Sequence, residues 1–371
     1  MHVLFLCNSL DIGGIERYII NFINWANNKE KLNFTIICKS GKKGCLYQKA
    51  LEVGARVITI NMGYVNIIGF YKFYKLIKRN KYDALCDFGG DFGAIPIFLS
   101  YLVGIKRRCV FYRNSDDMFK KTRLKIFIRR GLNRIVRRYS IYILSNSKAA
   151  FNYFYNNYEF HKDNRFKIIK NGVPVISETC YEEVQKIKNR YGIRSDHKII
   201  LNVGNARPAK NQIIILRVAK QAYELGLNNW LFIIVGANVI DSYRGIVIKE
   251  NLNNVLLIDR LSNVQSFYKL ADVFLFPSLS EGQPNALIEA IINGLPFVAS
   301  KIEPIRELFP EYWRNQWLVP PNDCSKIIET ITDHLNKQSK EDPKFLQLIQ
   351  FIKKEHNPDK CFYDFFKLLV N

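Results

Sequence analysis

Two carboxylates eight positions apart, Glu281 and Glu289, frame the stretch EGQPNALIEAIINGLPFVAS at residues 281–300. Eight residues is a little over two helical turns, so the second carboxylate returns near the face of the first. Pro284 suits a first helical turn, where a missing N–H costs nothing. The amides of Asn285, Ala286 and Leu287 are then expected to point outward. With the positive end of the helix dipole they would form an anion site, of the kind that grasps a phosphorylated sugar. Gly294 and Pro296 close the expected helix, and FVAS begins a buried strand. The same spacing also fits an ordinary surface glutamate ahead of an ordinary helix.

Other residues offer phosphate chemistry. Gly13 and Gly14 follow the first apolar strand and open the next helix. Glycines there let a phosphate approach free helix amides, although a plain strand-to-helix loop reads the same way. The spacing is not G-x-G-x-x-G, so no dinucleotide is implied. Lys210 lies in VGNARPAKNQ, just past another strand. It is placed either to neutralise a diphosphate leaving group or to sit in solvent. Asn171, Gly172 and Val173 read as a tight structural turn.

The 281–300 stretch resembles the E-x7-E signature of retaining, nucleotide-sugar-dependent glycosyltransferases of family 4. Its frame EG-x-P-x-x-L-x-E-A-x-x-x-G-x-P is intact, with Glu281, Gly282, Pro284, Leu287 and Glu289 in place. The resemblance implies a GT-B fold: two Rossmann-like α/β domains facing across a cleft, with the C-terminal helix crossing back to the N-terminal domain. It implies that Glu289 binds ribose hydroxyls. Glu281 would lie near the donor sugar, positioning it and stabilising charge rather than acting as a nucleophile. Gln283 fills the variable position and would tune selectivity. GGIE, with Glu16, is similar to the family's donor and acceptor loop, which turns Gly13 and Gly14 towards the leaving phosphate.

The family pattern G-R-x-x-x-x-K is matched at Gly204 and Lys210, but Asn205 stands at the arginine position. Arg207, two residues on, is the candidate to supply the second phosphate cation. Many members carry a histidine where this chain has Arg113 and Asn114. Asp116 and Asp117 nearby either bind an acceptor hydroxyl or cap the next helix. No D-x-D motif occurs, so no metal cofactor is expected.

Positioning these residues requires a particular scaffold. Short apolar strands alternate with amphipathic helices, as in a doubly wound parallel sheet. HVLFLCN, FTIICKS, VITI, DALCDFG, CVFYRN and IYILSNS form a first series. KIILNVG, WLFIIVG, NVLLID, DVFLFPS and FVAS form a second. At 371 residues the chain suits two domains. The expected division is 1–172 for the acceptor, 173–352 for the donor, and 353–371 as a helix returning to the first. The eight cysteines show no C-x-x-C pair and the five histidines do not cluster, which argues for buried thiols in a reducing cytoplasm and against zinc. The N-terminus reads as a buried strand, not a signal peptide, and no apolar run is long enough for a membrane span.

The formal charge of +22 asks for an acidic partner: nucleic acid, an anionic membrane or phosphorylated substrates. A solvated lysine-rich surface would give the same number. Residues 120–138, KKTRLKIFIRRGLNRIVRR, contain no acid. Lys120, Lys121, Arg123, Arg129 and Arg130 alternate there with Leu124, Ile126, Phe127 and Ile128. Such a helix suits an anionic membrane surface or a lipid diphosphate, or it packs its apolar side on the core. No nucleic-acid motif is visible.

These readings converge on a retaining transferase that is peripheral to the inner face of the cell membrane. It would move a sugar from a UDP- or GDP-sugar to a glycan or lipid-diphosphate-linked acceptor in bacterial surface polysaccharide synthesis. A sugar-nucleotide epimerase and a non-catalytic binder of nucleic acid or anionic surfaces are the rival expectations.

Overall fold

A computed structural model describes all residues except 12, 64–65, 114–122, 157, 176–180, 260, 262–263, 314–316, 338 and 371. The chain divides into two compact units: Met1–Gly172 with Pro358–Asn371, and Val173–Asn357.

Unit 1 alternates β1 (His2–Cys7), α1 (Gly14–Asn27), β2 (Asn33–Cys38), α2 (Tyr47–Glu52), β3 (Arg56–Thr59), α3 (Ile67–Asn80), β4 (Ala84–Asp87) and α4 (Ala94–Leu102). It continues through β5 (Arg107–Tyr112), α5 (Arg123–Tyr139), β6 (Tyr142–Ser145), α6 (Lys148–Phe154) and β7 (Phe166–Ile168). The described strands form one parallel sheet in the order β3-β2-β1-β4-β5-β6-β7. Strands such as VLFLC are apolar throughout because helices cover both faces of such a sheet.

Unit 2 runs α7 (Tyr181–Tyr191), β8 (Lys198–Val203), α8 (Gln212–Glu224), β9 (Trp230–Val235), α9 (Val239–Lys249), β10 (Val255–Ile258), α10 (Gln265–Leu270) and β11 (Val273–Phe276). It closes with α11 (Asn285–Ile292), β12 (Phe297–Ser300), α12 (Glu303–Arg306), β13 (Leu318–Val319), α13 (Cys324–Asn336) and α14 (Pro343–Glu355). Its sheet order is β10-β9-β8-β11-β12-β13, again parallel. In each unit the order reverses beside the first strand, at β1/β4 and at β8/β11. Open α/β sheets bind ligands at such reversals, outside the carboxyl ends of the strands.

The last helix, α15 (Pro358–Val370), belongs to unit 1. Its buried Phe362, Phe365, Phe366 and Leu369 pack on α1. Phe365 and Phe22 stack edge-on with centroids 4.8 Å apart. Trp25 Nε1 donates to Asp359 Oδ1 at 2.6 Å. The final segment was expected from residue 353, but residues 353–355 close α14. Pro358 can open a helix yet has no N–H with which to continue one. Gly172 is required here: a Cβ on it would fall 2.5 Å from the Pro358 Cα.

The helix α4 and the strand β7 are absent from the sequence reading. AIPIFLSYL is too uniformly apolar to show a helical period, and β7 has only three residues. Unit 2 opens with α7, which leans on α10 through Glu183, the acceptor for Ser266 Oγ at 2.8 Å.

Candidate active site

The unit 2 site is assembled at the β8/β11 reversal. After β8 the chain passes Gly204 and Asn205 into a 3-10 turn, Pro208–Lys210, which Asn211 ends in the left-handed region at φ 52°. Asn tolerates that conformation, so α8 starts sharply and Lys210 is left at the strand end. After β11 the loop carrying Ser278 and Glu281 is tied to this turn by Leu279 N donating to Ala209 O at 2.8 Å. The two loops bring Lys210 Nζ to 2.6 Å from Glu281 Oε1. The same ammonium lies 5.2 Å from the centre of the Phe276 ring. Glu281 is buried and Lys210 partly so. The cation and carboxylate, 71 residues apart in sequence, thus form one desolvated, charge-assisted contact.

Glu289 sits half-buried on α11, where Tyr268 Oη donates to its Oε2 at 3.0 Å. Tyr268 is fully buried on α10, and burial holds its phenol well above its usual pKa. It therefore remains a donor and fixes the Glu289 carboxylate. Sequence reasoning missed Tyr268; a tyrosine inside an apolar helical period gives no signal of its polar end. Ser278 Oγ and Gln212 Oε1 are also buried here without a hydrogen-bond partner.

Some expectations change. Pro284 is the residue before α11, not in its first turn. Of the three amides expected to be open, Asn285 N donates to Gln283 O at 3.0 Å and Leu287 N to Pro284 O at 3.1 Å. Only Ala286 N makes no such bond, because the tight turn after Pro284 consumes its own donors. Gln283 is buried, with Nε2 3.0 Å from His356 Nδ1, so it fixes the loop. Asn205 Oδ1 accepts from Ala237 N at 3.1 Å, which makes it a brace between two strand ends. The crowding at this point falls on Gly236, whose added Cβ would collide with the Gly204 carbonyl, whereas Gly204 itself has room. Arg207 is exposed, with no ion pair to a described residue. Among the described residues no cluster of three or more His, Cys, Asp or Glu could hold a metal ion.

Residues 183–350 match the family described as glycosyl transferases group 1. The capsular polysaccharide biosynthesis glycosyltransferase CapH of Staphylococcus aureus is 26% identical over 348 residues, covering 89% of this chain and 90% of that protein. A UDP-Gal:alpha-D-GlcNAc-diphosphoundecaprenol alpha-1,3-galactosyltransferase of Escherichia coli is 24% identical over 274 residues, 70% of this chain and 67% of that one. The crystal structure of Anabaena Alr3699/HepE in complex with UDP-glucose shares the fold at a TM-score of 0.82 and 15% identity, covering 100% of this chain and 99% of that one. This chain is a glycosyltransferase of GT-B fold, with a group 1 domain over residues 183–350.

In this glycosyltransferase, unit 1 has its own cavity of about 500 Å³, above the β1/β4 reversal. Asn8, Glu16, Lys39, Ser40 and Arg113 line its polar part, and Phe70, Phe92, Ile95, Leu132 and Phe154 its apolar part. Lys39 Nζ donates to the fully buried Asp87 at 2.6 Å. Arg113, at the end of β5, is buried between the Tyr18 and Phe111 rings, 4.2 and 4.9 Å from their centres. Burial pulls its pKa down to about 10, so the group stays charged at neutral pH. Its Nη1 has no hydrogen-bond partner.

At the start of α1, Gly13 is extended and Gly14 is exposed, with no side-chain cap on the helix amides. The Glu16 carboxylate lies against Gly13, where an added Cβ would collide with it. In this state a carboxylate already occupies the positive helix end. Asn114, Lys120 and Lys121, with Asp116 and Asp117, lie outside the described residues. On α5, Arg123 and Arg130 are exposed, but Arg129 Nε donates to Asp91 Oδ2 at 3.0 Å and stacks over Phe154. Arg129 therefore anchors the helix. The apolar residues of α5 split. Val136 is buried in the core, while Leu124, Phe127 and Ile128 are 67%, 76% and 50% exposed. No described helix is long and apolar enough to cross a membrane.

Proposed function

We propose that this glycosyltransferase moves a sugar, with retention, from a UDP- or GDP-sugar held on unit 2 to a lipid-linked glycan bound on unit 1, in bacterial surface polysaccharide assembly. The observation that carries the reading is the Lys210–Glu281 contact at the β8/β11 reversal. A donor diphosphate entering there would draw Lys210 to itself and release Glu281 to sugar hydroxyls. The lysine then neutralises charge that grows as the sugar–phosphate bond breaks. Glu289, held by Tyr268, offers two oxygens to the vicinal hydroxyls of a ribose. Retention follows from attack on the face the phosphate leaves, with the departing phosphate accepting the acceptor's proton.

The acceptor reading rests on the unit 1 cavity, where charged Arg113 and Lys39 stand beside a wall of Phe70, Phe92 and Ile95. That pairing suits a diphosphate attached to an apolar chain. The exposed Leu124, Phe127 and Ile128 on acid-free α5 support docking on an anionic bilayer. The names of the relatives, a capsular polysaccharide transferase and a galactosyltransferase acting on a diphosphoundecaprenol carrier, agree with this setting.

A thermal-shift screen with UDP, GDP, ADP, CMP and dTDP tests the donor side. One nucleotide should raise the melting temperature of the native chain, and Lys210→Ala and Glu289→Ala should abolish the shift. No shift with any nucleotide would overturn the reading.

A further inference from the structure

The opposite edge of the unit 1 sheet, where β5, β6 and β7 begin, has no part in the reading above. An open groove of about 540 Å³ lies there, lined chiefly by Arg108, Arg138, Ser140, Tyr142, Arg165 and Lys167. Four of these six are cations, and no carboxylate lines the groove among the described residues. Parallel pairing aligns the strand starts, Cys109 with Tyr142 and Ile143 with Phe166, which gathers side chains distant in sequence.

Two of the guanidinium groups are already fixed. Arg108 is buried; its Nε donates to Tyr139 O at 2.7 Å and its Nη1 to the Ile105 and Lys106 carbonyls. The Tyr139 carbonyl closes α5, whose negative dipole end would otherwise repel an anion, and the other two lie in the turn between α4 and β5. Arg108 neutralises them and keeps Nη2 unengaged. Arg165 Nη1 donates to Arg137 O at 2.5 Å, and its Nη2 to Asp163 Oδ2 at 2.7 Å. Asp163 offsets part of the Arg165 charge, but Arg138 is exposed and Lys167 half-buried, and neither has an acidic partner among the described residues. Ser140 is 3% exposed, and its Oγ has no hydrogen-bond partner. A buried hydroxyl left unsatisfied at a groove of cations is unusual unless a ligand completes it.

We propose that this groove is a phosphate-binding site, in which Arg108 Nη2, Arg138, Lys167 and the Ser140 hydroxyl surround one phosphate group. Guanidinium forks match the geometry of phosphate oxygens, and fixed forks lose little freedom on binding. The phosphate could come from solution or from an anionic phospholipid headgroup, since the chemistry is shared.

The experiment is calorimetric titration of inorganic phosphate into the full chain and into an Arg138→Ala/Lys167→Ala variant, at constant ionic strength. Both substituted side chains reach solvent, so the variant should fold, and its melting curve checks this. The native chain should bind phosphate, with the variant at least about tenfold weaker, equivalent to the loss of one charge-assisted contact. Ser140→Ala should weaken binding in the same direction. Phosphate held at Lys210 in unit 2 would survive the double substitution in full. Equal binding by both proteins, or none by either at about 10 mM phosphate, overturns the proposal. Co-sedimentation with phosphatidylcholine vesicles containing phosphatidylglycerol separates the sources. Retention lost in the variant and displaced by phosphate assigns a headgroup. Retention unchanged, with phosphate affinity lost, assigns a soluble phosphate.

Discussion

Lys210 Nζ stands 2.6 Å from Glu281 Oε1 and bridges the loops after β8 and β11, the two strands between which the unit 2 sheet reverses its order. The pair links the β8 loop to the start of the E-x7-E stretch. It also brings a lysine and a carboxylate to the same pair of strand ends. On the reading proposed above, donor binding would be an exchange of partners, in which neither charge is left buried alone.

Removing one partner should therefore cost more than removing both. Lys210→Met leaves the buried Glu281 without its cation and should lower stability by about 2 kcal/mol, whereas Lys210→Met/Glu281→Gln should lose less. Urea unfolding of the two single variants and the double variant measures this coupling. Turnover should behave differently under the proposed role of the lysine at the leaving group: Lys210→Met should reduce kcat by ~100-fold or more in either background. Losses in stability that simply add would sink the idea of a coupled pair.

In the proposed donor site Tyr268 would act on the ligand through Glu289. Tyr268→Phe keeps the ring in the core and deletes the hydroxyl, which donates to Glu289 Oε2 at 3.0 Å and also lies 3.3 Å from Ala286 O. Nucleotide affinity should fall by about 3- to 10-fold, the worth of one ordinary hydrogen bond, with little change in melting temperature. Because burial holds the phenol well above its usual range, the native affinity should show no tyrosine titration up to pH 9 or so. An affinity unchanged in Tyr268→Phe would mean that Glu289 is positioned by α11 alone.

The legible part of this molecule was the part with a period. The strands from HVLFLCN to FVAS alternate with helices strongly enough to give both sheets, and the E-x7-E spacing located α11, with Glu289 on it and Glu281 in the loop ahead. What could not be read depends on where polar ends turn after packing. Gln283 looked free to select the donor but is consumed by His356, 73 residues away. Asn205 looked like a lost phosphate ligand but holds the Ala237 amide. Arg129 and Arg130 are adjacent and identical in type, yet only the first meets Asp91. Such choices follow from the register of elements distant in sequence, which no local pattern records.

His334 on α13 gives unit 2 an acid sensitivity. Its Nε2 lies 3.0 Å from Phe297 O and its Nδ1 2.9 Å from Ser339 Oγ, so the ring is held neutral in the core. Burial pulls its pKa from the usual 6.5 down to about 4. Between those values the unfolded chain binds a proton that the folded chain refuses. The contribution to stability is whole above pH 6.5 and is lost as pH falls towards 4, reaching roughly 3 kcal/mol. His334→Gln, which can still donate to Phe297 O, should flatten the stability profile across this window. An equally steep profile in the variant would place the sensitivity elsewhere.

The apolar start of α5 should carry membrane contact separately from its charge. Leu124 and Phe127 are among its most exposed side chains, so Leu124→Asp/Phe127→Asp removes apolar area without opening the core. Burying a phenylalanine or leucine is worth about 1.5–3 kcal/mol, so retention on phosphatidylglycerol-containing vesicles should fall by at least about tenfold. Ile248→Asp, an equally exposed apolar position on unit 2, serves as the control and should leave retention unchanged. Raising the salt should weaken the native chain and the Ile248→Asp control alike, because the arginines of α5 supply the long-range attraction and ions screen it. Retention lost to salt but unaffected by the α5 substitutions would show that charge alone, and not insertion of this helix, brings the protein to the bilayer.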